Sequence, residues 1–438
     1  MIQDALSTYT VDQSLGADLH VFVTIKGFNQ LAIVQKIIER KGQKSLGLTA
    51  SDNASQRRYS TGKILLTDLA RSCFDDAMLV AGAQGIDCLE PYHVAMKDAR
   101  LAYTAGDQFK VMDLRLGQTQ TFTNEWMAYL HTLDFSDDGQ HMLTISTGFD
   151  TIQEVDLRSK QRCWEWNAWD HGFTYSPHTQ AHFVRSHQQA AAIRKAAPKT
   201  HVTVIDDPTR FPREGLPTQE TPLNLNGVFY GPHGQILATA YHRPELFVIE
   251  RNGACRLINL KLDHPHSFLP CTIPGHTGYQ VANTGAGQLL LLNEAFEVVC
   301  QIDVATLPAD EAKKQSFGEW LQTFSLLDAQ RGYFAAVDAL RAGIHLIDVP
   351  NRRRRFIPNP PHWTIQTLTR IPSSMVTTVR RAISHEQIKL APVHVSSANQ
   401  QRANHGRIVK GFPYKATSRE PVPAQSLPPV AVSVGATA

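Results

Sequence analysis

The chain is poor in charge: Asp, Glu, Lys and Arg make up 19% of its 438 residues, and the formal net charge is +3 with His neutral. A dedicated nucleic-acid binder carries a strong basic excess, so that class is disfavoured. Cysteine is sparse and scattered. Cys73, Cys88, Cys163, Cys255, Cys271 and Cys300 form no CxxC or CxxxC pair, which excludes a zinc-finger pattern and a dense disulfide framework. No apolar run approaches the ~18 residues of a membrane helix. The first twenty residues lack a basic stretch followed by an apolar one, so no signal peptide is expected. The expectation is a soluble protein of the reducing cytoplasm. P-loop, GxGxxG, GxSxG and HExxH motifs are all missing, which disfavours nucleotide-binding, α/β-hydrolase and zincin chemistry.

What is present is a recurring beat. "HTLDFSDDGQHMLTISTGFDTIQEVDL" from His131, "NGVFYGPHGQILATAYHRPELFVIE" from Asn226 and "HSFLPCTIPGHTGYQVANTGAGQLLLLNE" from His266 share one order. A polar residue opens, then short strands alternate with Gly-containing turns. A repeat of roughly 40 residues built from short strands is the mark of a β-propeller. The chain is therefore expected to be all-β, a propeller of six or seven blades.

The beat is clear from Asp75 and includes "ARLAYTAGDQFKVMDLRLGQTQTF", with turns at Gly106-Asp107 and Gly117-Gln118. Upstream, Leu19–Ile25 and Lys63–Leu69 read as strands. "NQLAIVQKIIERKG" between them suits one helical face through Ile33, Val34, Ile37 and Ile38, although its β-branched residues pull the other way. Residues 170–221 break the beat, carry five His and hold one short helix within "HQQAAAIRKAA". That stretch is read as a degraded blade or a His-rich lid, since long ordered loops are often functional. "WTIQTLTRI" is expected to close the ring against the N-terminal strands. Residues 1–382 thus form the propeller. Residues 383–438, Pro-rich towards their end, read as a flexible, disordered tail.

Polar residues that open equivalent blades converge on a central site, so His131, Asn226 and His266 are the first candidates. Imidazole can act there as nucleophile, base or metal ligand, its free pKa being near ~6.5. The competing reading has each side chain hydrogen-bond a neighbouring strand and simply close the blade. In "LDHPHSF", an extended Pro265 would point His264 and His266 to one face. Together with His242 or His171 they would hold a divalent metal. In "CWEWNAWDHGF", Trp164 and Trp166 read as inter-blade packing, while Trp169 and His171 lie past the strand end and are placed to line a pocket for an aromatic substrate. The run Arg352–Arg355 reads as a solvated turn between two outer strands.

The text from His131 through "FSDDG", "TIQEVDLRSKQRCWEW" and His171 resembles the arylsulfotransferase-type β-propeller proteins. "NGVFYGPHGQILATAYHRPELFVIE" resembles a second blade of that family, with Asn224 where the family has His and Asn226 where it has Asn. On that likeness Asn224 is the leading residue; on the internal repeat Asn226 is. The resemblance spans roughly residues 126–305 and implies sulfuryl transfer by a nucleophilic His. His131 and His266 would take the catalytic parts and Arg243 would clamp the anion. The family's transferases are typically exported, a departure that points to another small-molecule chemistry. Nine of the 19 His fall between His131 and His242. This favours an enzyme, a transferase or a metal-dependent one, acting on a small molecule. The alternative is a non-catalytic scaffold for a protein partner.

Overall fold

The computed structural model describes residues 2–28, 61–79, 85–210, 216, 218, 220–304 and 320–389. The helix expected within residues 29–42 and the tail from residue 390 onward lie outside these residues. Six strands organise the rest: Val94–Lys97 (β1), Leu130–Phe135 (β2), Leu225–Tyr230 (β3), Pro265–Ile273 (β4), Leu321–Asp328 (β5) and Ile365–Ile371 (β6). Each is the edge strand of its own sheet of four or five strands. All six contribute residues to one cavity.

Hydrogen bonds stitch each of these strands to the next. Thr369 Oγ1 on β6 donates to Val94 O on β1 at 2.7 Å. The Leu133 N–H on β2 donates to Nδ1 of His93, just before β1, at 3.4 Å. His131 Nδ1 meets Asn226 O at 2.9 Å, and Asn226 Nδ2 donates to Pro265 O at 3.0 Å. Ser267 and Thr323 share a hydroxyl contact at 3.1 Å, as do Ser325 and Thr367 at 3.0 Å. The series ends on the strand where it began. A closed ring of sheets around a central cavity is a β-propeller, an architecture that removes the open edges a flat sheet would leave.

The ring closes between the two ends of the described chain. β6 pairs antiparallel with His20–Ile25, with Leu368 opposite Val23 and Ile371 opposite His20. "WTIQTLTRI" thus plays the closing part read from the sequence. The N-terminal residues then wrap outward. Ile2–Ala5 and Thr10–Val11 add as parallel outer strands to the sheets of β4 and β5. Within the sheets, local sequence answers local geometry. Gly278 has φ +151, and a Cβ there would lie 2.0 Å from Leu292 O, so only glycine fits.

The described residues of 170–221 add no strand to the six sheets of this ring. Tyr175–Ser176, Ala181–Val184 and His201–Val204 form a separate three-stranded sheet, with helix His187–Ala196 (α1) between the last two strands. Ser186 and Gln189 build a capping box at the helix start. No described residue of the stretch lines the central cavity. Ala181 and Phe183 instead pack with Trp169, Phe149 and Phe247. Past the ring, Val376–Lys389 is a helix (α2), not the start of a tail at residue 383. Val379, Ala382 and Ile383 are buried against Leu66, Ile86 and Leu101.

The expected solvated turn at Arg352–Arg355 is a staple. Arg352 pairs with Asp4 at 2.9 Å, and Arg353 with Asp12 at 2.8 Å and Asp348 at 2.6 Å. Arg354 donates to Tyr9 O, while Arg355 is buried and donates to backbone carbonyls. The run looked solvated because the segment it holds lies more than 300 residues earlier in the chain.

Asp150 is a second fixed point. It is fully buried at φ +45, and its carboxylate accepts from Leu223 N at 2.8 Å and Leu225 N at 3.1 Å, setting the start of β3. Burial pushes this carboxyl up to about 6. Asp150→Asn tolerates the same backbone conformation but keeps only one acceptor oxygen. The variant is expected to lose about 1–3 kcal/mol in urea denaturation, and an unchanged midpoint contradicts the assignment.

Candidate functional site at the ring centre

In five of the six inner strands the pairing register slips near the first residues. The slips lie between Leu130 and Leu133, Leu225 and Gly227, His266 and Leu269, Leu321 and Phe324, and Ile365 and Leu368. A bulge re-aims side chains out of the simple alternation. At or beside each slip sits a polar cavity residue: His131, Asn226, His266, Gln322 and Gln366. The pairing also decides which Asn matches His131. Leu130 lies opposite Ser146 and Leu225 opposite Ala240, so Asn226 is the counterpart and Asn224 precedes the strand.

A bulge frees backbone and side-chain groups that need partners. Buried threonines of the second strands supply several. Thr104 Oγ1 accepts from Tyr92 N and His93 N, Thr144 donates to Thr132 O, Thr239 donates to Asn226 Oδ1, and Thr24 donates to Thr367 O. All four are fully buried. The repeated apolar-x-Thr pattern ("LAYT", "HMLT", "ILAT", "VFVT") was a sequence signal for these places.

The cavity measures about 300 Å³, at the lower end of small-molecule sites. Its two leading imidazoles, His131 and His266, have ring centroids 6.3 Å apart. His131 Nδ1 contacts the Asn226 carbonyl, and His266 Nδ1 contacts His264 O at 3.1 Å and Thr284 Oγ1 at 2.9 Å. A carbonyl can only accept, so Nδ1 carries the proton in both rings and Nε2 keeps its lone pair. Burial lowers both pKa values, His131 to about 3 and His266 to about 4. Both rings are therefore neutral at pH 7. The blade-closing reading accounts for each Nδ1 and leaves each Nε2 without a hydrogen-bond partner among the described residues.

Two further cavity groups carry chemistry that the sequence did not single out. His93 is lowered to about 4 by burial, and its Nδ1 accepts from Leu133 N. Asp134 accepts from Tyr230 N at 2.9 Å through Oδ2, and burial raises its carboxyl to about 7. Asp134 stands three residues from His131 in a strand whose bulge lies between them, so alternation alone could not place both on the cavity.

The remaining candidates lie elsewhere. Trp169 is buried in the core against Phe183 at 6.0 Å, and His171 stacks on Trp166 at 5.0 Å; neither lines the cavity. Trp164 and Trp166 bridge to the next sheet as expected, through Arg251 O and Gly253 O. Arg243 is held by both carboxylate oxygens of Glu245, at 2.9 and 3.2 Å, outside the cavity. His264 and His266 do not share a face. His264 has φ +52, which breaks the extended run assumed across Pro265. His264 bonds Asp263 and lies 4.2 Å from the Tyr241 ring. His242 also lies off the cavity lining. Among the described residues no cluster of three or more His, Cys, Asp or Glu is arranged to hold a metal ion.

Ring and cavity together define the class: a propeller with a polar central pocket. No family model matches the chain, and no curated protein matches it. Among solved structures it is similar to virginiamycin B lyase from Staphylococcus aureus, at 12% identity over 62% of this chain and 70% of that one, with a TM-score of 0.38. A protein of unknown function from Bacteroides caccae is 13% identical over 81% and 99%, with a TM-score of 0.44. A chain of a nidogen/laminin complex is 9% identical over 81% and 99%, also with a TM-score of 0.44. Among the described residues no helix is long and apolar enough to cross a membrane.

Proposed function

We propose that this propeller has six blades and is an enzyme acting on a small molecule in its central cavity, with the Nε2 atoms of His131 and His266 as paired bases or nucleophiles. One observation carries the reading. Two neutral imidazoles from different sheets, half-buried His131 and buried His266, each have Nδ1 anchored and Nε2 left to the same cavity. An unprotonated ring nitrogen is the form in which imidazole acts as a base or a nucleophile. Asp134, with a carboxyl near neutrality, is the group suited to return a proton. We read the resemblance to arylsulfotransferase-type propellers as limited to the blade pattern. Sulfuryl transfer needs cations around developing negative charge, and Arg243 is engaged by Glu245. Proton transfer or acyl-type chemistry suits the cavity better.

The test is a screen of nitrophenyl acetate, phosphate and sulfate esters and of elimination substrates, followed on His131→Ala and His266→Ala. Each variant is expected to lose about 10²–10⁴-fold in kcat while still melting cooperatively, at a midpoint lowered by the lost Nδ1 bond. Because both imidazole pKa values are lowered, the bases stay unprotonated on the acid side down to about pH 5. A bend in the profile near pH 7 is assigned to Asp134 and should vanish in Asp134→Asn. Full activity in both His variants overturns the reading. A chain inert towards every substrate that still captures a protein partner favours the scaffold alternative.

A further inference from the structure

The cavity's hydrogen-bonding polarity is fixed by neighbours that can only donate or only accept. The indole N–H of Trp320 donates to Gln322 Oε1 at 3.1 Å, and an indole has no acceptor, so this amide's orientation is set. Gln322 Nε2 then donates to Gln366 Oε1 at 3.1 Å, which leaves the Nε2 of Gln366 as a donor towards the cavity. His93 runs opposite to the other imidazoles. Its Nδ1 accepts from a backbone N–H, so its Nε2 carries the proton. Asn226 is spent at both ends, donating to Pro265 O and accepting from Thr239.

The cavity therefore has two sides. His131 and His266, from the sheets of β2 and β4, offer acceptors. His93 and Gln366, from the neighbouring sheets of β1 and β6, offer donors. Tyr92 and Phe229 supply flat apolar walls beside them, with Tyr92 4.1 Å from His131 and Phe229 6.1 Å from His93 between ring centroids. The one arginine in the lining among the described residues, Arg370, is paired with Asp328 at 2.9 Å.

We propose that the cavity binds a small, uncharged, planar ligand with an N–H donor on one edge and a carbonyl acceptor on the other, of the vinylogous cyclic amide (4-pyridone) class. The proposal rests on the reading of the cavity as the functional site. Neutral imidazole lone pairs welcome an N–H and repel an anion, so a carboxylate or sulfate head is the wrong partner for the His131–His266 side. A polyol offers donors and acceptors all round and gains nothing from their separation. A 4-pyridone has its N–H and its carbonyl on opposite edges of a flat ring, which fits beside these aromatic walls. A ligand lacking the matching group leaves a buried donor or acceptor unpaired, which is where such sites derive their selectivity.

The test titrates the full chain with 4-pyridone, N-methyl-4-pyridone, p-toluenesulfonate and glucose, following the imidazole ¹⁵N signals of His131, His266 and His93. 4-Pyridone is expected to shift all three and to bind at least about tenfold more tightly than its N-methyl counterpart. Gln366→Leu should weaken 4-pyridone by a similar factor while the imidazole signals of the free protein stay in place. Equal binding of 4-pyridone and N-methyl-4-pyridone overturns the proposal, as does tighter binding of p-toluenesulfonate or glucose. In those cases the cavity remains the site and only the ligand class fails. If no probe moves any cavity imidazole, the ligand class and the cavity reading fail together.

Discussion

A chain ending at residue 361, without β6, will not fold cooperatively. The truncation removes the inner strand of the closing sheet and with it buried Trp363, Ile365, Leu368 and Ile371. It also removes both bonds between Thr24 and Thr367 and the hydroxyl contact from Ser325. His20–Ile25 becomes an open edge, and the strands on either side of the gap lose a neighbour. Fully burying side chains of this size is worth roughly 1.5–3 kcal/mol each, against a total stability of about 5–15 kcal/mol for a typical protein. The loss exceeds what the remaining sheets can absorb. Expected are a broad, non-cooperative thermal transition and dye binding to exposed apolar surface. A truncated chain melting as sharply and as high as the full one would show that the ring does not depend on this closure.

The second large effect falls on Arg355. The residue is 3% exposed, and its guanidinium has no carboxylate partner among the described residues. It donates instead to four carbonyls: Leu15 at 3.2 Å, Leu69 at 2.6 Å, Ala70 at 3.4 Å and Arg71 at 2.5 Å. Two chain segments far apart in sequence are thereby tied to one strand. Burial holds its pKa below the usual arginine value, yet it stays charged at any working pH. Arg355→Met fills similar space without donors and strands the carbonyls. About 3–5 kcal/mol should be lost in urea, with the midpoint falling and the slope unchanged. Arg355→Lys should recover only part of this, because an ammonium cannot reach four acceptors in a plane. A neutral Arg355→Met variant would mean the staple is ornamental.

The two residues show where sequence reading succeeds and where it stops. The strand beat from His131, Asn226 and His266 was legible because turns and alternation are local, and the closing strand was legible because an unmatched strand at the end needs a partner. Arg355 was not, since nothing near Arg352–Arg355 announces carbonyls from Leu15 and Leu69. At the site, His131, Asn226 and His266 stood out by recurring, while Gln322 and Gln366 hold matching places with different residue types. His93 and Asp134 were hidden by geometry, one lying before its strand and the other beyond a bulge. Trp169 and Arg243 misled in a shared way. Their residue types suit a pocket, but packing against Phe183 and pairing with Glu245 took them elsewhere.

The central claim is that His131 and His266 present neutral Nε2 lone pairs to the cavity. It is tested most directly by ¹⁵N spectroscopy of the imidazoles, assigned through His131→Ala and His266→Ala and followed from pH 8 to pH 5. Both rings should show a protonated Nδ1 and an unprotonated Nε2, with shifts flat across that range, since their lowered pKa values of about 3 and 4 put protonation below it. A proton on Nε2 in either ring, or titration near the ~6.5 of free imidazole, would contradict the account.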